Sequence, residues 1–440
     1  MKRTPPFLAL ALFAGCTEPS ASAPAETDTE TEASSTTSPA VTGASSSSGG
    51  ETEPSSTTDA ETETEEPSST TGPECSETVP CMDPAAPFCV EGTCSTCDAS
   101  VDPTPDESCA MLDEGVPLCV GTSCVQCTAE DASACGGETP LCDAEANTCV
   151  RCSFHEECED LDLRACNIAT GACFSTEAAN VSEVNAGSNG AIQAAIGAVA
   201  DGAEHTIVLT GGGGNHTVTV DGGKTIAIVS DDTTERVVQG STGSPTVTVT
   251  GAGSTVYLHR LALTLNGDDV GVSAEASGVL YADSTRIAQN SGGGIELAAG
   301  TSGFIRNCMV GADVNSDAVV ASGAELEVLY STLVGNFGAS SLALSCSGGA
   351  VTVRNSITVS RADDAVNCGG ASVSTTFEAA GGSYDEGWFD LDGGDLTLNS
   401  AADFDGVAIW EDGDPPFDFE GDARPSTDGA TDYAGADTIP

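Results

Sequence analysis

Positive charge is what this sequence has least of. It sets 12 Lys and Arg against 68 Asp and Glu. Two of the twelve, Lys2 and Arg3, lie in a segment expected to be removed, which leaves ten against 68, a net of −58 for the remainder. A surface of that sign repels phosphate backbones and anionic headgroups, so nucleic acid is excluded as a partner. Long apolar runs are also missing. The stretch Phe7 to Phe13 is too short to remain as a membrane-spanning helix. No GxSxG occurs, and the four histidines, His155, His205, His216 and His259, show neither metal-ligand nor triad spacing. Nothing in these absences names a reaction.

What is present begins with the order basic pair, short apolar run, small residues and cysteine in "LFAGC", which ends at Cys16. That is the layout of a secretory signal over residues 1–15. It resembles a bacterial lipobox, with Phe13 where Leu is usual, and the resemblance implies cleavage before Cys16 and acylation of its thiol and new amino group. Cys16 is then a lipid anchor that attaches the chain to a membrane, and several acyl chains on one residue hold it stably. Thr17 replaces the Asp that retains such lipoproteins at the inner membrane, so the resemblance implies an outer-membrane, cell-surface address.

Residues 16–73 carry the anchor and a Ser/Thr/Glu-rich stalk with no Lys, no Arg and no aromatic after Cys16. Such a stretch cannot bury enough apolar surface to offset its ordering entropy and is expected to be a disordered tether. A flexible chain of this length spans on the order of 40 Å, and its like charges extend it further.

Sixteen cysteines then crowd into residues 74–176, in four groups of four. They are Cys75, Cys81, Cys89 and Cys94; Cys97, Cys109, Cys119 and Cys124; Cys127, Cys135, Cys142 and Cys149; and Cys152, Cys158, Cys166 and Cys173. Adjacent groups join through "CSTC", "CVQC" and "CVRC", and "PFC" or "PLC" recurs at the third cysteine of the first three groups. Paired CxxC motifs can hold tetrahedral zinc. An oxidising address, an even count and modules too poor in large apolar residues to fold unaided favour disulfides, two per module, with the pairing left open. The region resembles the tandem cysteine-rich modules that follow stalks in bacterial surface lipoproteins.

Beyond Thr176 the composition turns to Gly, Ala, Val, Thr and Ser. Ile192, Ile196 and Val199 follow helical spacing after a cap at Ser188 or Asn189, which predicts a short helix over 189–200. A repeat follows: "LHRLALT" at 258, "YADSTRI" at 281, "FIRNCMV" at 304, "VLYSTLV" at 328 and "TVRNSIT" at 352. A second set, Val272, Ile295, Val319, Leu342 and Val366, keeps the same period, and Asn266, Asn290, Asp313 and Asn336 recur as corner residues suited to left-handed backbone or a stacked ladder. Two phases with one period predict stacked coils of parallel strands. The fold expected is mainly β: a right-handed parallel β-helix over 177–384, capped by the helix at 189–200 and preceded by the disulfide-rich region and the stalk. The acidic closing region 385–440 resembles the C-terminal segment of bacterial surface β-helix proteins that end in a variable anchor, and the fold resembles that of the pectin lyases. In that resemblance the closing segment wraps the last coil; Arg424, the one cation there among many carboxylates, is expected to make a structural salt bridge.

Many β-helix proteins cut or bind polysaccharides, which brings an enzyme into question. Lyases of this kind need a cationic base, and hydrolases need two carboxylates at a fixed gap. The pectin-hydrolase Gly-His-Gly and Arg-x-Lys motifs are absent, Lys224 is the one lysine of the head, and Asp268/Asp269 and Asp363/Asp364 read as ordinary turn residues. No catalytic residue is assigned. The aligned segments place Arg260, Asp283, Arg306, Tyr330 and Arg354 about 4.8 Å apart up one outer face. Of these, Arg306, Tyr330 and Arg354 are candidates for binding a sugar chain, against a self-satisfied charge ladder as the simpler reading. Asp390, Asp392 and Asp395 in "DLDGGD" offer oxygens for calcium, a cofactor the fold does not require. Cys346 and Cys368 are expected to pair between adjacent coils, leaving Cys308 buried. The function expected is non-enzymatic, in adhesion, glycan binding or envelope structure, with glycans or surface proteins as partners. The alternative is an extracellular polysaccharide lyase or hydrolase.

Overall fold

A computed structural model describes residues 81–438, apart from 82–85, 92, 100–103, 160, 162–164, 232–233, 314–315, 336–340 and 401–402. Cys16, the stalk, Cys75 and Asn336 lie outside the described residues. No helix among the described residues is long and apolar enough to cross a membrane.

Each cysteine-rich module is built on one antiparallel hairpin. Phe88–Val90 pairs with Thr93–Ser95, Leu118–Val120 with Ser123–Val125, Leu141–Asp143 with Thr148–Val150, and Cys166–Asn167 with Ala172–Cys173. The third and fourth cysteines of a module face each other across the ladder, as Cys119 faces Cys124, yet they do not bond to each other. Instead the third reaches the first and the fourth reaches the second: Cys97–Cys119 with Cys109–Cys124, Cys127–Cys142 with Cys135–Cys149, and Cys152–Cys166 with Cys158–Cys173. In the first module Cys81 bonds Cys94, and Cys89 is disulfide-bonded as well. A lone hairpin is marginal in water, and these bonds tie the preceding loop or helix over it. That helix is α1, Pro105–Leu112, in the second module, opened by a capping box between Thr104 and Glu107, and α2, His155–Glu159, in the fourth. Each CxxC divides its two sulfurs between neighbouring modules, so the pairs mark module boundaries.

The solenoid follows from Val181. Its strands form three parallel sheets of nine, eight and seven strands. Strands buried on one face by their own coil read as alternating apolar residues, and their inward columns make the main core from Val184 to Val353. One such column runs Val272, Ile295, Val319, Leu344 and Val366. Leu344 therefore takes the place expected for Leu342, because the coil that holds 336–340 is longer than its neighbours. The capping helix is α3, Ala191–Ala198, which buries Ile192 and Ile196 on the first coil. Its N-cap is Gly190 in left-handed conformation, with no side-chain cap bond. Asn189 turns instead to accept the Asn215 N–H.

Asn266 and Asn290 are buried corner residues, and Asn266 N–H donates to Asn290 Oδ1 at 3.1 Å. The left-handed positions fall one residue earlier, on Leu265 and Gln289, so the asparagines serve as hydrogen-bond partners and not as backbone specialists. The closing region does not wrap the last coil alone. It lies along the second sheet, where Phe389, Phe404, Trp410, Ala434 and Ala436 pack with Met309, Tyr330 and Ile357. Its "GAD" reads as a docking contact. Gly435 sits at φ 96° with its N–H donated to Asn355 O, and a Cβ there would lie 2.5 Å from Ile357 Cδ1.

Candidate functional site

The first sheet carries the face on which ligand-binding residues were expected. In register its outer edge reads His259, Asp283, Arg306, Leu329, Arg354 and Ser374. The next residues along, Arg260, Ser284, Asn307, Tyr330, Asn355 and Thr375, all have φ between 45° and 55°. The expected ladder of Arg260, Asp283, Arg306, Tyr330 and Arg354 therefore mixes two columns. Successive coils differ in length by a residue or two, and a slip of one residue moves a side chain out of its column.

Neither column is open. Arg306 donates to Asp283 Oδ2 at 2.6 Å and to Ser153 O at 2.9 Å, and its guanidinium lies 4.2 Å from the Phe154 ring centroid. Tyr330 is fully buried, with the Arg424 guanidinium 4.1 Å from its ring. Arg354 holds Asp414 and, at 3.4 Å, Glu411 of the closing region. Arg260 reaches back to Glu159 at 2.8 Å and Glu156 at 3.3 Å on α2. Thus Arg306, Tyr330 and Arg354 do not present a sugar-binding face. The fourth module covers one and the closing region covers the other two, each satisfying the charge it buries.

The same pattern holds for the other cations of the head. Lys224 pairs with Asp201 and Asp221, Arg236 with Asp231, Arg286 with Glu235 and Asp395, and Arg424 with Asp432, while Arg361 lies over Tyr384. Asp395 thereby gives a carboxylate oxygen to Arg286 at 2.9 Å, which withdraws it from the calcium set expected with Asp390 and Asp392. The Asp392 side chain lies outside the described residues. Asp268, Asp363 and Asp364 are exposed in turns. Cys346 and Cys368 are in register on adjacent coils and bonded, and Cys308 is free and buried, with its thiol pushed up by burial.

Two arrangements on this face were not legible in the sequence. The first joins the fourth module to the solenoid. His155 of α2 and His259 are fully buried with ring centroids 4.6 Å apart, and ligand atoms of His155, His259 and Asp283 lie within 4.8 Å of one another. Burial, followed by each ring's charged neighbours, holds both imidazoles down to about 3, so they are neutral, while Arg306 keeps Asp283 low and ionised against the opposing effect of its own burial. His155 Nδ1 accepts the Cys166 N–H at 3.1 Å, which leaves its proton on Nε2. A metal ligand needs that lone pair free, so His155 meets the other two through a protonated nitrogen with no hydrogen-bond partner among the described residues, and the trio does not fit a metal ion. No spacing rule would have found it, because α2 and its partners lie some hundred residues apart.

The second arrangement is an aromatic stack. Tyr257, Tyr281 and Phe304 occupy one register column, with ring centroids 4.6 and 4.5 Å apart and planes within 12° and 6° of parallel. Tyr257, at the covered end, donates to Asn167 Oδ1 at 2.8 Å and packs with Phe174 of the fourth module. At the other end the column continues as Glu327, and a cavity of about 170 Å³ opens between Tyr281, Phe304, Glu327, Leu329, Ile168 and Gly413.

Among known proteins, a family model described as "Family of unknown function (DUF8331)" matches residues 61–179. The match takes in the cysteine-rich modules and stops before the first solenoid strand. No curated protein and no solved structure matches the chain.

Proposed function

We propose that the chain is an outer-membrane-anchored surface lipoprotein whose solenoid head is a non-enzymatic element of adhesion or envelope structure, held out on the stalk and the disulfide-bonded modules. One observation carries this reading. All eight cations of the head are engaged in ion pairs or on aromatic rings. A lyase of this kind needs an arginine or lysine side chain that can give up its own proton and then act as base, and each one here is held in its charged form to dock a covering segment or to hold a turn. Arginines used to hold covering segments suit display rather than turnover.

The test is to incubate the purified full chain, with calcium, against neutral and acidic polysaccharides and assay for new chain ends. No cleavage of any polymer is the expected result; reproducible cleavage would falsify the non-enzymatic reading. Anchoring is tested separately by feeding labelled fatty acid to cells making the wild type or Cys16→Ser: label is expected in the first and not in the second.

A further inference from the structure

We propose that the cavity at the end of the aromatic stack is a docking site for one arginine side chain from a basic segment of a partner protein. The inference rests on the reading of the head as an adhesive surface and adds the chemistry of what it holds. Three observations converge on that occupant.

The stack ends at Phe304. Tyr281 covers one of its faces at 4.5 Å, and in register on the other side stands Glu327, a carboxylate and not a fourth ring. A ring face with a carboxylate beside it is a cation site: the π quadrupole and the negative charge favour the same ligand. Glu327 is exposed and belongs to no hydrogen bond or ion pair among the described residues, and it lies near enough to Tyr281 to hold that phenol's proton more firmly, after burial. Its charge is therefore available.

The molecule also shows what its own aromatic faces take. Arg306 lies over Phe154 at 4.2 Å, Arg424 over Tyr330 at 4.1 Å and Arg361 over Tyr384 at 5.7 Å. Among the described residues no cation lies over Phe304, and every cation of the head is already engaged. The guanidinium nearest the cavity, Arg306, is held by Asp283, Ser153 and Phe154.

Charge and size complete the argument. The chain carries 68 acidic against 12 basic residues, so encounter with a basic segment is steered and encounter with an acidic one is opposed. A volume of about 170 Å³ accepts a single long side chain and not a polymer groove. Leu329 and Ile168 supply apolar wall for the methylenes of an arginine, while Glu327 meets its planar head.

Calorimetric titration of the full chain decides the matter, using a short capped peptide with one arginine and its twin in which citrulline replaces that arginine. Citrulline keeps the shape and removes the charge. The arginine peptide is expected to bind about tenfold more tightly than its twin, with the preference weakening as salt is raised. Phe304→Leu and Glu327→Gln are each expected to reduce that preference several-fold; the second changes an exposed side chain and leaves the fold intact. Equal binding of the two peptides would overturn the proposal. So would a neutral oligosaccharide whose binding is lost in Phe304→Leu while the arginine peptide shows no preference. Either result leaves the non-enzymatic reading standing, since that reading fails only on cleavage.

Discussion

The modules and the solenoid solve the same problem in opposite ways. Both are built from sequence poor in large side chains, and both must keep short strands together. In the modules the cysteines are themselves the buried residues: Cys97, Cys109, Cys127, Cys158 and Cys166 are fully inaccessible, and the fourth module's core is Cys152, Cys158 and Cys166 packed with Leu141 and Ile168. In the solenoid each coil buries a few Val, Ile, Leu and Ala residues, and stacking multiplies them into one continuous core. Covalent closure acts within a module and ends there. Apolar stacking is additive, and each coil supports the next.

Reduction should separate the two most sharply. Removing a native disulfide from a small domain costs roughly 2–5 kcal/mol, and each described module from the second to the fourth has two of them. The described solenoid has one, Cys346–Cys368, between coils that are also hydrogen-bonded to each other. Treating the full chain with a reductant at neutral pH should make residues 81–176 protease-sensitive while the β-sheet circular dichroism of the head persists. Simultaneous loss of both would show that the solenoid depends on the modules and would undo the contrast.

The fourth module is where the two strategies meet, and there the largest single-site effect is expected. It docks on the first sheet through Ala165 and Phe174, which pack with Val208, Ala227, Val229 and Tyr257, and through the Arg306–Asp283 pair beneath Phe154. Arg306→Met removes the cation and leaves Asp283 buried alone, a change that typically costs about 3–5 kcal/mol. Thermal melting should register it, and Asp283→Asn combined with Arg306→Met should recover much of the loss. If the double variant is no better than the single, the cost lies in packing on Phe154 and not in the charge.

Acid should loosen the same junction by a smaller amount. His155 and His259 are held to about 3 by burial, with Asp283, Glu156, Arg260 and Arg306 as the charged groups around them. Unfolded imidazoles take up protons below about 6.5 that the folded ones refuse until about 3. Their contribution is therefore whole above pH 6.5 and lost as the pH falls through that window. At pH 5.5 each costs on the order of 1.4 kcal/mol. Asp283, held low by Arg306, acts in the same sense at still lower pH, while Glu156, raised by burial and by Asp283, acts in the opposite one. Denaturation at pH 7.5 and 5.5 should show the drop in the wild type and a reduced one in His259→Gln; a flat response would mean that the rings are solvated.

How far these features were legible depends on whether they repeat. The parallel coils were, because Val272, Ile295, Val319 and Val366 recur at a period that only stacking explains. The corner asparagines were legible as positions, though not as the left-handed residues, which are Leu265 and Gln289. The outer face was misread through two small irregularities of coil length, enough to put Arg260 and Tyr330 one step out of column and to hide that Tyr257, Tyr281 and Phe304 form a stack. Coverage was not legible at all. Whether Arg306 faces solvent or the Phe154 ring depends on where the fourth module folds back, and no periodicity encodes a contact made once.

The mildest test concerns that single contact directly. Tyr257 belongs to both strategies: its ring begins the solenoid's aromatic stack, and its hydroxyl donates to Asn167 Oδ1 of the fourth module at 2.8 Å, within a group in which Asn167 Nδ2 also donates to Glu204. Tyr257→Phe keeps the stack and removes only the hydroxyl. The loss should be about 1 kcal/mol, the usual net value of one hydrogen bond, enlarged somewhat because the Ala169 N–H also donates to this hydroxyl at 3.4 Å, while Asn167 Oδ1 keeps the Thr170 N–H. It should appear as faster amide exchange in residues 166–173 with exchange in the strands of the stack unchanged. Were exchange instead to quicken along Val279–Asp283 and Ser302–Arg306, the hydroxyl would be holding the stack in line and not the module in place. Docking and stacking would then be one cooperative unit, and the boundary between the two halves of the molecule would have to be drawn before the fourth module.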